Sequence, residues 1–96
     1  MAPFELSRKQ DDKNYDYNPV TLEDGTVLES KIRQDGTKYI VRCSAKKNDR
    51  EIGYGVWNTI SDRFSIRIEP MSHADAKTIS QAIADSIWQI VEMEQL

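Results

Sequence analysis

The sequence predicts an α+β domain: a four-stranded antiparallel meander sheet, five-stranded if residues 20–23 add a short leading strand, with one long C-terminal helix packed on one face, ββββα. Three observations carry this. From Val20 to Glu69 apolar and polar residues alternate with period two, broken at Asp-Gly and Asn-Asp turns. Pro70 then ends the strand pattern. Beyond it Ala76, Ile79, Ile83, Ile87, Ile90 and Val91 recur at helical spacing.

Residues 1–19 are polar, hold Pro3 and Pro19, and read as a flexible N-terminal arm before a single domain at 20–96. The alternation of Tyr15 and Tyr17 suits a segment whose last residues lie along a sheet edge. "EDGT" at 23–26 and "QDGT" at 34–37 each offer the Asp-Gly pair that tight hairpins favour. Centring the second on Asp35-Gly36 pairs Ile32 with Tyr39, Ser30 with Val41 and Leu28 with Cys43 on one face, and Glu29 with Arg42 on the other.

Closing the next hairpin at Asn48-Asp49 sets Lys46 opposite Glu51, and pairs Ala45 with Ile52, Cys43 with Tyr54 and Val41 with Val56. Both hairpins then agree on one apolar face. In "RFSIRIE", Phe64, Ile66 and Ile68 join it. "SHAD" at 72–75 supplies a Ser72 cap with an acid in the first turn, and the helix is expected over residues 73–95.

One helix covers one side of one sheet. In this register the uncovered side holds seven cations, Lys31, Arg33, Lys38, Arg42, Lys46, Arg63 and Arg67, against three acids, Glu29, Glu51 and Glu69, with Gly53, Gly55 and Trp57 on β-strand 50–58 and Trp57 across from Arg63. Partner binding on this sheet face is expected to use Lys31, Arg33, Lys38, Arg42, Trp57, Arg63 and Arg67. The bland reading is a wet face of the kind antiparallel sheets commonly carry. A protein partner fits the mixed charge, since Trp, Arg and Tyr anchor interfaces. Single-stranded nucleic acid, with Trp57 as stacking platform, is the alternative. Against it stand the acidic isoelectric point of about 5.1 and the lack of further aromatic residues on that face.

The helix has a second candidate surface. Trp88 borders the isoleucine stripe, with Met93 on the opposite border. Trp88 either folds over the sheet edge as peripheral core or joins Val91 and Met93 in a homodimer, which would supplement a thin core.

Charge is uneven: net -4 over residues 1–30, +4 over 31–69 and -3 over 70–96. Cys43, the one cysteine, falls on the core face, and His73 is the one histidine, so no zinc site and no catalytic Cys-His pair is expected. The four glycines are scattered, which excludes a glycine-rich phosphate loop. No catalytic, cofactor or metal site is expected, and the chain reads as non-enzymatic. With no apolar run of membrane-spanning length, no secretory leader and one cysteine, a cytoplasmic location is expected. The function that follows is a small interaction or regulatory protein, of the kind found among phages and mobile elements, that binds or inhibits a larger macromolecule, chiefly a protein.

Overall fold

The computed structural model describes residues 13–96. An antiparallel sheet is built from β1 (Tyr15–Asp16), β2 (Val20–Thr21), β3 (Val27–Asp35), β4 (Lys38–Lys47), β5 (Arg50–Asn58) and β6 (Arg63–Ile68). One helix, α1 (His73–Met93), packs on it. The order is β1-β3-β4-β5-β6, and β2 also pairs with β3. The four long strands and the C-terminal helix are the expected meander, extended by two short strands along the outer edge of β3. Much of the predicted arm, residues 1–12, lies outside the described residues; residues 13–19 reach the β3 edge, where Tyr15 pairs with Ile32 and Asp16 with Lys31.

The β3–β4 loop is Gly36-Thr37 rather than Asp35-Gly36, so Asp35 pairs with Lys38 and Ile32 with Val41. Gly36 takes φ +65°, the left-handed conformation that a two-residue hairpin needs at its first central position. The slide changes each residue's partner by two positions. It therefore leaves every β3 and β4 side chain on its expected face.

The β4–β5 hairpin turns at Asn48 and Asp49, with φ of 55° and 62°, and Lys46 pairs with Glu51, as the sequence predicts. A bulge between Ala45 and Lys46 then shifts the register: Ala45 pairs with Gly53, Cys43 with Gly55 and Val41 with Trp57. One extra residue, Ile52, is absorbed on β5, and every later β5 side chain changes sides. Gly53, Gly55 and Trp57 face the helix, while Tyr54 and Val56 face outward. This corrects the sequence-based register, which places Trp57 on the open face. Trp57 pairs with Phe64, and Arg63 with Asn58.

The physical reason lies in α1. Its buried stripe is Ile79, Ile83, Ile87 and Ile90. A Cβ on Gly55 would stand 2.6 Å from Ile83 Cγ2 and 3.0 Å from Ile87 Cδ1, so the helix occupies the volume a side chain would need. Large residues on the helix meet bare backbone on β5, and close packing follows. Leu28, Ile32, Val41, Cys43, Ala45 and Trp57 complete the core.

Ser72 caps α1, its Oγ accepting from the Asp75 N–H at 3.1 Å. At the other end Gln95 adopts φ +57° and the Leu96 N–H donates to the Val91 carbonyl, a left-handed stop. The helix ends at Met93, two residues before the expected bound. Trp88 folds over the edge of the sheet: its ring lies 4.9 Å from Phe64 and 5.9 Å from Trp57. No helix among the described residues is long and apolar enough to cross a membrane.

Candidate interaction surface

The uncovered sheet face takes its cations from β3, β4 and β6, whose alternation sends the expected residues outward. Lys31 and Arg33 come from β3, Lys38, Arg42 and Lys46 from β4, and Arg63 and Arg67 from β6. Trp57 is absent from this face, being only 8% exposed beneath the helix. The aromatic residue that replaces it is Tyr54. The Arg42 guanidinium carbon sits 4.2 Å from the centroid of the Tyr54 ring. Such a cation–π contact is worth ~0.5–1 kcal/mol where it is solvated.

Carboxylates neutralise part of the face. Arg42 also meets Glu51 at 3.4 Å, Lys46 meets Glu29 at 3.1 Å and Arg33 meets Asp16 at 2.9 Å. Lys38 lies 4.0 Å from Asp35. These exposed pairs contribute little to stability, but they set the local field. Lys31, Arg63 and Arg67 form no ion pair among the described residues. A shallow groove of about 490 Å³ runs between β1 and β4, lined by Tyr17, Lys31, Arg42, Ser44, Lys46 and Glu51.

The helix residues predicted to join a partner lie apart from this face. Trp88 is 39% exposed and Met93 57%, while Val91 is half-buried against the core.

Where α1 ends there is a polar clasp that the sequence reading missed. Glu94 accepts hydrogen bonds from the Tyr17 hydroxyl at 2.6 Å and the Tyr15 hydroxyl at 2.7 Å. Lys13 Nζ adds an ion pair at 3.1 Å. The tyrosine hydroxyls, Tyr17 first, and then Lys13 hold the Glu94 carboxyl below the usual carboxylate range. Burial, followed by the same carboxylate, pushes the Tyr17 hydroxyl far above the usual phenol range. The clasp ties β1 to the helix and so closes the outer edge of β3. The only sequence signal was the Tyr15/Tyr17 alternation, because Glu94 lies 77 residues from Tyr17 along the chain.

Cys43 is fully buried, and desolvation raises its thiol pKa. Its neighbours are core residues and the hydroxyls of Ser30 and Ser86, with no base among the described residues to activate it. No cluster of three or more His, Cys, Asp or Glu is arranged to hold a metal ion among the described residues. Comparison with family models, curated proteins and solved structures finds no match for this chain.

Proposed function

We propose that this chain is a small non-catalytic interaction protein that binds a larger macromolecular partner, a protein, through the open face of its sheet. The observation that carries this reading is the composition of that face. Four of its cations are already matched by carboxylates, and the Tyr54 ring is capped by Arg42. A mixed-charge surface around a tyrosine and an arginine suits a protein interface. A nucleic-acid strand would instead have to displace the guanidinium to stack on Tyr54, and its phosphates would meet Glu29 and Glu51.

Affinity capture with the tagged chain, with and without nuclease, tests the reading, together with a salt titration of the complex recovered. The expected outcome is a protein partner whose capture survives nuclease and weakens when Lys31 and Arg42 are changed to glutamate. Capture abolished by nuclease, with affinity falling steeply as salt rises, would assign the face to single-stranded nucleic acid instead.

A further inference from the structure

We infer that the outer edge of β6 is a strand-addition site for an extended segment of a partner protein in which acidic and apolar residues alternate. This rests on the protein-binding reading above and specifies where and how the partner docks.

The two edges of the sheet differ. β3 is covered on its outer side by β1 and β2, whereas β6 has β5 as its only paired strand among the described residues. The ladder fixes which peptide groups are free. The Glu69 N–H donates to the Ile52 carbonyl at 3.0 Å, so Glu69 and Ile52 form a hydrogen-bonded pair. In an antiparallel ladder such pairs alternate, so Arg67, Ser65 and Arg63 also direct their peptide groups at β5. The N–H and C=O groups of Phe64, Ile66 and Ile68 therefore point away from the sheet. No proline interrupts β6, and Pro70 lies beyond its end. An open edge of this kind is a template for an added strand.

Two rows of side chains flank that edge. On the open face stand Arg63, Ser65 and Arg67, all exposed, and neither arginine has an ion-pair partner among the described residues. On the helix side stand Phe64 and, packed 4.9 Å from it, the part-exposed Trp88. An added strand sends successive side chains to opposite faces, so one row would meet the arginines and the other the aromatic pair. Charge complementarity selects acids for the first row and burial selects apolar residues for the second. A second copy of β6 paired about Ser65 would set arginine against arginine, which disfavours self-addition in that register.

The test uses a fluorescein-labelled eight-residue peptide alternating valine and glutamate, with binding to the full chain followed by anisotropy. Two further peptides carry N-methyl groups on only the valine or only the glutamate amides. Just one set of amides can face β6, so one methylated peptide is expected to bind at least tenfold more weakly and the other to match the parent. The double variant Arg63→Glu/Arg67→Glu is expected to lose the glutamate peptide and gain its lysine counterpart, a swap that misfolding cannot produce. Equal effects of the two methylations, including none, would overturn the inference, as would the absence of charge swap. So would a chain that sediments as a dimer and takes up no peptide. Protein capture that survives nuclease yet ignores the double arginine variant would sink the β6 site and leave the protein-binding reading standing. Capture lost to nuclease would sink that reading itself.

Discussion

Gly55 lies directly under Ile83. A Cβ built on the glycine would come within 2.6 Å of Ile83 Cγ2, closer than real Cβ contacts allow. Gly55→Ala should destabilise the fold by ~1–3 kcal/mol through overpacking. Ile83→Leu removes the offending methyl at nearly constant volume. The double variant Gly55→Ala/Ile83→Leu should therefore be more stable than the sum of the two single changes, by ~0.5–3 kcal/mol. Urea unfolding of the four proteins measures this, and strict additivity would mean that the helix does not seat on β5.

Neighbouring residues on β5 should behave oppositely. Trp57→Ala removes a buried ring that packs against Trp88, and a loss of ~3–5 kcal/mol is expected. Tyr54→Ala removes an outward ring that stacks against Arg42, and a loss of about 1 kcal/mol is expected. Thermal unfolding of the two variants gives the contrast. A harmless Trp57 substitution would restore the register without the bulge.

The Glu94 clasp makes stability pH-dependent at both ends of the scale. The folded pKa of Glu94 lies below its ordinary 4.5, so its contribution is complete above 4.5 and lost as pH falls through the lower folded value. Tyr17 is shifted the opposite way from its ordinary 10.0, so its contribution is complete below 10.0 and lost as the phenol ionises in strong alkali. Glu94→Gln should flatten the acid side of the stability profile. It should also bring the tyrosine titration, read by ultraviolet absorbance, back toward pH 10.0. Hydrogen exchange should then accelerate at Tyr17, whose N–H bonds to the Ser30 carbonyl. An unchanged profile would show that β1 holds to β3 without the clasp.

Cys43 should resist thiol reagents in the native protein. Its side chain is fully buried and its pKa raised by desolvation, so modification requires opening. Labelling with a chromogenic disulfide should rise with urea in step with unfolding. Fast labelling without denaturant would place the thiol at the surface.

Much of this was legible along the chain. The isoleucine period announced α1, Ser72 its start, and the Asn48-Asp49 turn the β4–β5 hairpin. Of the seven residues named for partner binding, six lie on the open face, namely Lys31, Arg33, Lys38, Arg42, Arg63 and Arg67, because β3, β4 and β6 keep the parity that alternation implies. Trp57 was misplaced because alternation carries no mark of a bulge. The two patterns Ile52-Tyr54-Val56 and Gly53-Gly55-Trp57 are both regular, and the more apolar set reads as core.

The sequence by itself determined which segments become strands and which becomes the helix, since local period, turn residues and caps are set by neighbours a few positions away. Only the tertiary structure decided which side of β5 is inside. That choice turns on volume: with Ile83 and Ile87 filling the space above the strand, bare glycines fit where Tyr54 and Val56 would not, and the single-residue bulge at Ile52 supplies the change of side. The Glu94 clasp was likewise decided in three dimensions, because it joins groups from opposite ends of the chain that meet only once the helix has crossed the sheet.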